Sequence, residues 1–345
     1  MSDAVETVGM SPHARTEYRR KGLDVVFLEN DHVHVEILAG KGGDITEFRD
    51  KRTDTNVLFE APHEWRPPTR TVGAPDGAFT FLDHYPGGWQ DVLPAAGGPS
   101  ESAGASLALH GESSLVPFDV EVTAETRSIA SVELTAQLTR YPLRLSRVLT
   151  LRADDPTLSV RTTAINEGSV PIDYSWLQHL AFGPPLVGPN AVLNVPCRTV
   201  RVDPDHDAET ARLPAGERFD WPIWDAGDEP VDLRRFPPRE TPVHDLVALC
   251  DLTEGRYTLS NPSVDLGVTV RFPRSLYEYV WYWQPLGGFD VSPFFGRAYA
   301  VGLEPCTSIP NAGLAAAQEN GTANRLEPKT SVSATISVTT HSARS

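Results

Sequence analysis

Hydrophobic and polar positions alternate along much of this chain. Val33, Val35 and Ile37 alternate with His32, His34 and Glu36, while Val132, Leu134, Ala136 and Leu138 alternate with Ser131, Glu133, Thr135 and Gln137. Leu158, Val160 and Thr162 repeat the pattern, as do Val332, Ala334, Ile336 and Val338 near the C-terminus. A period of two predicts strands with one buried and one wetter face. Turn-forming residues separate the runs at short intervals: Gly40 to Gly43, Asp154-Asp155-Pro156, Asn166-Glu167-Gly168, Glu254-Gly255 and Asn261-Pro262. No amphipathic stretch predicts a helix of more than a few turns. The expected fold class is all-β, a large antiparallel β-sandwich or supersandwich.

Two segments depart from the alternation. Asp203 to Glu240 is rich in Pro, Asp, Glu and Arg but also holds Trp221 and Trp224, which a disordered linker would lack. Glu60 to Pro99 resembles a loop yet carries Trp65, Phe79, Phe81, Tyr85 and Trp89. Both are expected as long ordered loops over the sheets. With no repeat, low-complexity tract or evident boundary, the expectation is one domain over residues 1–345. Residues 1–20 are expected as a loosely ordered lead-in.

Composition narrows the function classes. Thirty Pro and 26 Gly in 345 residues suit short strands joined by turns and would break a helix bundle. The net charge of −16, from 46 acidic against 30 basic residues, repels a phosphate backbone and an anionic membrane surface. The nearest candidate for a basic patch is Arg15, Arg19, Arg20 and Lys21 near the N-terminus, which reads as a polar lead-in. The N-terminus has no apolar core of a signal peptide, and no apolar run is long enough to span a bilayer. Cys197, Cys250 and Cys306 are odd in number and widely spaced, as expected of reduced thiols. The expectation is a cytoplasmic protein, monomer or homodimer, with no nucleic-acid or membrane partner.

Three segments combine aromatic, glycine and titratable residues. In Gly87-Gly88-Trp89-Gln90-Asp91, followed by Leu109-His110-Gly111-Glu112, glycines permit close backbone approach. Trp89 there offers a flat apolar face and Gln90 both donors and acceptors, the pairing a polyhydroxylated ring needs. A tight turn with a packed Trp would look the same. Tyr174-Ser175-Trp176-Leu177-Gln178-His179-Leu180-Ala181-Phe182-Gly183 places His179 at the end of an apolar strand. It is either a satisfied structural imidazole or a proton carrier. Tyr279-Val280-Trp281-Tyr282-Trp283-Gln284 precedes Val301-Gly302-Leu303-Glu304-Pro305, where Glu304 follows an apolar strand. Such a carboxyl either faces water or, if buried, is paired or raised in pKa.

Taken in order and spacing, these motifs resemble the aldose 1-epimerase (galactose mutarotase-like) family from about Leu23 to Thr340. The resemblance rests on the Gly-Gly-Trp-Gln turn, the Leu-His-Gly step, the Asn-x-Gly turn before the strand of His179, and the Leu-Glu-Pro step at Glu304. It implies a galactose mutarotase-like supersandwich that interconverts the α and β anomers of a free sugar. It makes His179 the general acid, Glu304 the general base and His110 an assisting contact near the ring oxygen. Trp89, Gln90, Trp283 and Arg66 are the expected sugar-binding residues. Arg70 is an alternative to Arg66. The family's binding Asp, between the acid and the base in sequence, has no clear match here; Asp220 and Asp225, beside Trp221 and Trp224, are the candidates. The sequence departs from the family at Leu180-Ala181-Phe182, where a Tyr-Phe-Asn step follows the histidine, which leaves the sugar open.

No cofactor is expected. Among the remaining histidines, His32, His34 and Glu36 lie too close together for a cupin-like metal motif and read as a solvated strand face. His206 and His244 lack ligand spacing, and no dinucleotide or phosphate loop is present. Three rival activities frame the expectation. An epimerase of a phosphorylated or modified sugar would need convergent basic side chains. A non-catalytic carbohydrate-binding protein would need no acid–base pair; the third rival is a lyase or hydrolase on a similar sandwich, of which a hydrolase would need two carboxylates.

Overall fold

The alternating runs pair into two large antiparallel sheets. The computed structural model describes residues 9–68, 81–227, 229–309 and 311–344. A 12-stranded sheet runs, neighbour to neighbour, through His13–Arg20, Leu23–Glu29, Val33–Leu38, Asp44–Asp50, Trp89–Val92, Leu177–Phe182, Val301–Cys306, Tyr279–Leu286, Val243–Cys250, Thr199–Val202 and Arg218–Asp220, with Thr55–Asn56 beside Asp44–Asp50. An 8-stranded sheet runs through Val192–Asn194, Arg256–Asn261, Leu266–Arg271, Ser331–His341, Thr157–Asn166, Leu143–Arg152, Ile129–Gln137 and Asp119–Glu125. All of these strand pairs are antiparallel, and the helix Leu314–Glu319 spans only six residues.

The period-two runs behave as their pattern requires. Val33, Val35 and Ile37 are fully buried while His34 and Glu36 are half-buried, and Leu158, Val160 and Thr162 face the core. The largest apolar cluster takes Val33, Val35 and Ile37 from the first sheet and Leu149, Val160 and Ile336 from the second, so the sheets close on each other as a sandwich. The lead-in expectation is corrected in part. His13–Arg20 is an edge strand paired with Leu23–Glu29, because alternate side chains such as Tyr18, which stacks edge-on against Phe27, have partners there. The segment around Trp221 and Trp224 is ordered, with both indoles packed partly against the main core.

A polar network crosses the apolar layer. Arg147, on the 8-stranded sheet, is fully buried and lies 3.3 Å from the Asp91 carboxylate of the 12-stranded sheet. It also donates to the carbonyls of Gly42 and Gly43. Asp91 accepts further bonds from Trp176 Nε1, Gln178 Nε2 and Thr162 Oγ1. Gln178 in turn accepts from Trp89 Nε1 and donates to the Tyr277 hydroxyl. Lys41 and Asp44 form a second buried pair close by. Pairing offsets part of the desolvation of these groups, although Arg147 Nε and Nη2 and Asp44 Oδ1 keep no hydrogen-bond partner and burial raises the Asp44 pKa.

Strands in the middle of the 12-stranded sheet are buried on both faces. Leu177–Phe182 and Val301–Cys306 are buried at every residue. Gln178 and Leu303 point into the sandwich, and by alternation His179 and Glu304 point to the opposite face. Glu304 therefore sits within its strand rather than after it, and His179 lies mid-strand rather than at the end.

Among the described residues no helix is long and apolar enough to cross a membrane. Cys197, Cys250 and Cys306 are all free thiols.

Candidate active site

His179 and Glu304 meet across one pair of neighbouring strands. Leu177 pairs with Cys306 and Ala181 with Gly302, a register that sets His179 opposite Glu304. Their nearest atoms, His179 Nε2 and Glu304 Oε1, are 3.5 Å apart, and both side chains are almost wholly buried. They sit in the floor of a cavity of about 240 Å³. His110, Tyr85, Trp281 and Trp283 form its nearer walls, and His206, His244, Phe289 and Asn311 its farther ones.

Burial acts oppositely on the two floor groups. It pushes the Glu304 carboxyl well above the usual carboxylate range. It pulls the His179 imidazole down to about 4. Both shifts disfavour the charged form, so the pair holds one proton between them, and desolvation alone places that proton on Glu304. His179 Nδ1 and Glu304 Oε1 are themselves buried without a hydrogen-bond partner.

His110 is held differently. Its backbone adopts a left-handed conformation at φ 60°, unusual for a non-glycine residue and here fixed by a reciprocal contact with Gly97. The His110 N–H donates to Gly97 O, and Gly97 N–H donates to His110 Nδ1 at 3.2 Å. Nδ1 therefore accepts, and the proton of the neutral ring sits on Nε2. Burial, and then the neighbouring His179, hold its pKa well below the ordinary value. His110 is a neutral N–H donor, with its ring centroid 5.2 Å from that of His179.

Two further histidines complete the wall. Trp283 Nε1 donates to His244 Nε2 at 3.2 Å, which places the His244 proton on Nδ1, and burial lowers this ring's pKa to about 3. His206 Nε2 donates to the His244 carbonyl, and its ring stands edge-on to that of His244. Phe289 stacks on the His244 ring. The Tyr85 hydroxyl is buried without a partner, and burial with the nearby Glu304 raises its pKa, so it remains a donor. The arrangement offers a proton-sharing pair, several neutral donors and aromatic faces, which suits a neutral polyhydroxylated ligand. No group of three or more His, Cys, Asp or Glu among the described residues is placed to hold a metal ion.

The structure thus gathers His179, Glu304, His110 and Trp283 around one cavity. It does not bring Trp89, Gln90 or Arg66 there. Trp89 points into the sandwich core, where its indole N–H serves Gln178. Gln90 pairs with His179 across the ladder, but it is fully buried and donates to Gly87 O. Arg66 lies beside a separate hollow with Lys21, Glu64 and Trp65. Asp220 and Asp225 are exposed and away from the cavity, and Arg70 lies outside the described residues. His206 and His244, whose spacing gave no signal, do line the site. Trp281, Tyr85 and Asn311 line it too and were not anticipated, although the two-residue step from Trp281 to Trp283 puts both indoles on one strand face.

Comparison with known proteins agrees with this architecture. Residues 20–340 match the model of a family described as Domain of unknown function (DUF4432). No curated protein matches the sequence. A candidate aldose 1-epimerase from Klebsiella pneumoniae superposes with a TM-score of 0.74 at 14% identity, over 96% of this chain and 84% of that one. A galactose mutarotase-like protein from Clostridium acetobutylicum gives 0.64 at 15% identity, over 96% and 99%. A galactose mutarotase related enzyme from Lactobacillus acidophilus gives 0.61 at 15% identity, over 92% and 97%. At these identities the likeness is one of fold, and the fold is galactose mutarotase-like.

Proposed function

The chain belongs to the DUF4432 family, and we propose that it is an aldose 1-epimerase-like isomerase working by acid–base ring opening at the anomeric centre of a sugar. The observation that carries this reading is the His179–Glu304 pair, 3.5 Å apart across the strand ladder and open to a cavity lined with neutral donors. Fold likeness to mutarotase-like proteins supports it.

The chemistry needs one proton removed and one delivered. Sugar hydroxyls donating to Glu304 stabilise its carboxylate and move the shared proton onto His179. Glu304 then takes the proton of the anomeric hydroxyl while His179 protonates the ring oxygen. The bond from the anomeric carbon to the ring oxygen breaks as the carbonyl forms. After rotation about the C1–C2 bond the ring closes from the other face, and the protons run back. His110, as a neutral Nε2–H donor, hydrogen-bonds the oxygen on which charge develops.

Exchange NMR on a panel of free aldoses tests the reading, with α/β interconversion above the buffer rate as the expected result. If no sugar responds, the reading fails. The pH dependence has a defined sign. Activity requires one proton on the pair. It falls on the acid side only as His179 takes up a second proton, near its lowered value of about 4. It falls on the alkaline side when the pair loses its shared proton, which the raised Glu304 carboxyl delays. A plateau through mildly acidic pH is therefore expected, where an unperturbed histidine would titrate. A limb centred on an ordinary histidine pKa would contradict it.

Gly302 holds the base in place. A Cβ there would stand 2.2 Å from Glu304 Oε1 and 3.3 Å from the Cβ of Trp283. Gly302→Ala is expected to push the carboxylate aside, because the obstructed atom ends a flexible side chain. Misplacement by about 1 Å can cost on the order of 100-fold in rate. The expected outcome is a strong loss of exchange rate with little change in thermal unfolding.

A further inference from the structure

The cavity over His179 and Glu304 continues past Trp281. On the same sheet face lies a second hollow of about 410 Å³, and Leu246, Trp281 and Asn311 line both spaces. The register explains why they adjoin. Glu304 pairs with Trp281, Trp281 with Ala248 and Ala248 with Arg201, so one row of side chains runs from the reactive pair into the hollow. At about 4.8 Å per strand, the Ala248 strand lies about 10 Å from that of Glu304. Ala248 contributes only a methyl group where its neighbour contributes an indole, which leaves room over the sheet.

The lining has a definite chemistry. Trp281, Leu246, Ala248 and Ile309 give an apolar platform. Asn311 is fixed through its backbone, with its N–H on Asp203 and its carbonyl accepting from Gly98. Its side-chain amide makes no hydrogen bond to the described residues and stands at the junction of the two spaces. Arg201 closes the far side, and the Asp203 carboxylate on the same wall disfavours an anion. A flat apolar surface rimmed by donors and acceptors matches the face and edge of a pyranose ring.

We infer that the hollow beyond Trp281 is a second sugar subsite, and that the substrate is the reducing end of a disaccharide or longer glycan rather than a lone monosaccharide. The terminal aldose reacts over His179 and Glu304, and the next ring occupies the hollow. The inference rests on the acid–base reading for its reaction, but not for its binding.

The test compares glucose and galactose with maltose, cellobiose and lactose, by exchange NMR for turnover and saturation-transfer difference NMR for binding. At least one disaccharide should show kcat/KM tenfold or more above both monosaccharides, with saturation reaching both of its rings. Ala248→Phe, which fills the hollow without touching the reactive pair, should lower disaccharide turnover at least tenfold and leave monosaccharide turnover unchanged. Equal turnover of both classes with saturation confined to the reducing ring would overturn the inference. So would turnover of monosaccharides alone, or a preference for glucose 6-phosphate over every disaccharide. If no sugar is interconverted, the isomerase reading fails and binding decides the subsite. It stands if a disaccharide is saturated on both rings and Ala248→Phe weakens this, and it falls if neither ring is saturated. Should Ala248→Phe fail to fold, the saturation pattern of the unaltered protein decides: both rings saturated supports the subsite, and one ring or none overturns it.

Discussion

Glu304→Gln loses roughly 10²–10⁴-fold in exchange rate, the range expected when a positioned general base is removed, yet unfolds at a temperature no lower than the unaltered protein. The two effects have one cause. The carboxyl is buried opposite His179, and burial raises its pKa well above the ordinary 4.5. A carboxyl with a raised folded pKa contributes its full stability below the unfolded value and loses it as pH rises toward the folded value. Glutamine is neutral at every pH, so its advantage in thermal unfolding should grow from acid toward neutral pH. A variant that keeps full exchange rate would remove Glu304 from the base role. One that unfolds much earlier at neutral pH would show that the carboxylate is held for structure.

Asp91→Ala is expected to be the most damaging single change to stability. It strips the partner from Arg147, which is fully buried, and leaves Trp176 Nε1 and Thr162 Oγ1 without their acceptor. Breaking a buried ion pair from one side costs about 3–5 kcal/mol, a large share of the roughly 5–15 kcal/mol by which domains are stable. Chemical denaturation of Asp91→Ala, Arg147→Met and the double variant would measure the coupling. The double variant should recover part of the loss, since no charge is then stranded. Losses that simply add would mean that the two side chains do not interact.

The sheets were legible in the sequence because their outer strands each have one wet face. Val33, Val35 and Ile37 show it directly, with their half-buried neighbours His34 and Glu36 marking the other side. The central strands are covered on both faces, so Leu177–Phe182 reads as a nearly continuous apolar run and periodicity cannot say which way His179 points. The same covering hid Glu304, whose strand runs on through Pro305. The resemblance of ordered motifs singles out His179, Glu304 and His110, and its neighbourhood singles out Trp283; the fold places all four around one cavity. Trp89 and Gln90 do not line the cavity, and for Trp89 the physical reason is plain. A Gly-Gly-Trp-Gln step looks the same whether its indole faces a ligand or, as here, donates to Gln178 inside the sandwich. His206 and His244 were invisible because a long loop carries one and a separate strand the other, and only the fold brings their rings within 4.7 Å. Arg66 had no motif behind it and lies elsewhere.

The placement of His179 and Glu304 on adjacent strands of one ladder has an evolutionary consequence. Their separation is dictated by backbone hydrogen bonding and register, which loop substitutions scarcely alter. The groups around the rim, including Tyr85, His206, Phe289 and Asn311, lie outside regular strands. Insertions and exchanges at the rim can therefore reshape the cavity while the spacing of the two floor residues stays constant. A chain divided in this way can vary its cavity walls without rebuilding the pair at the floor.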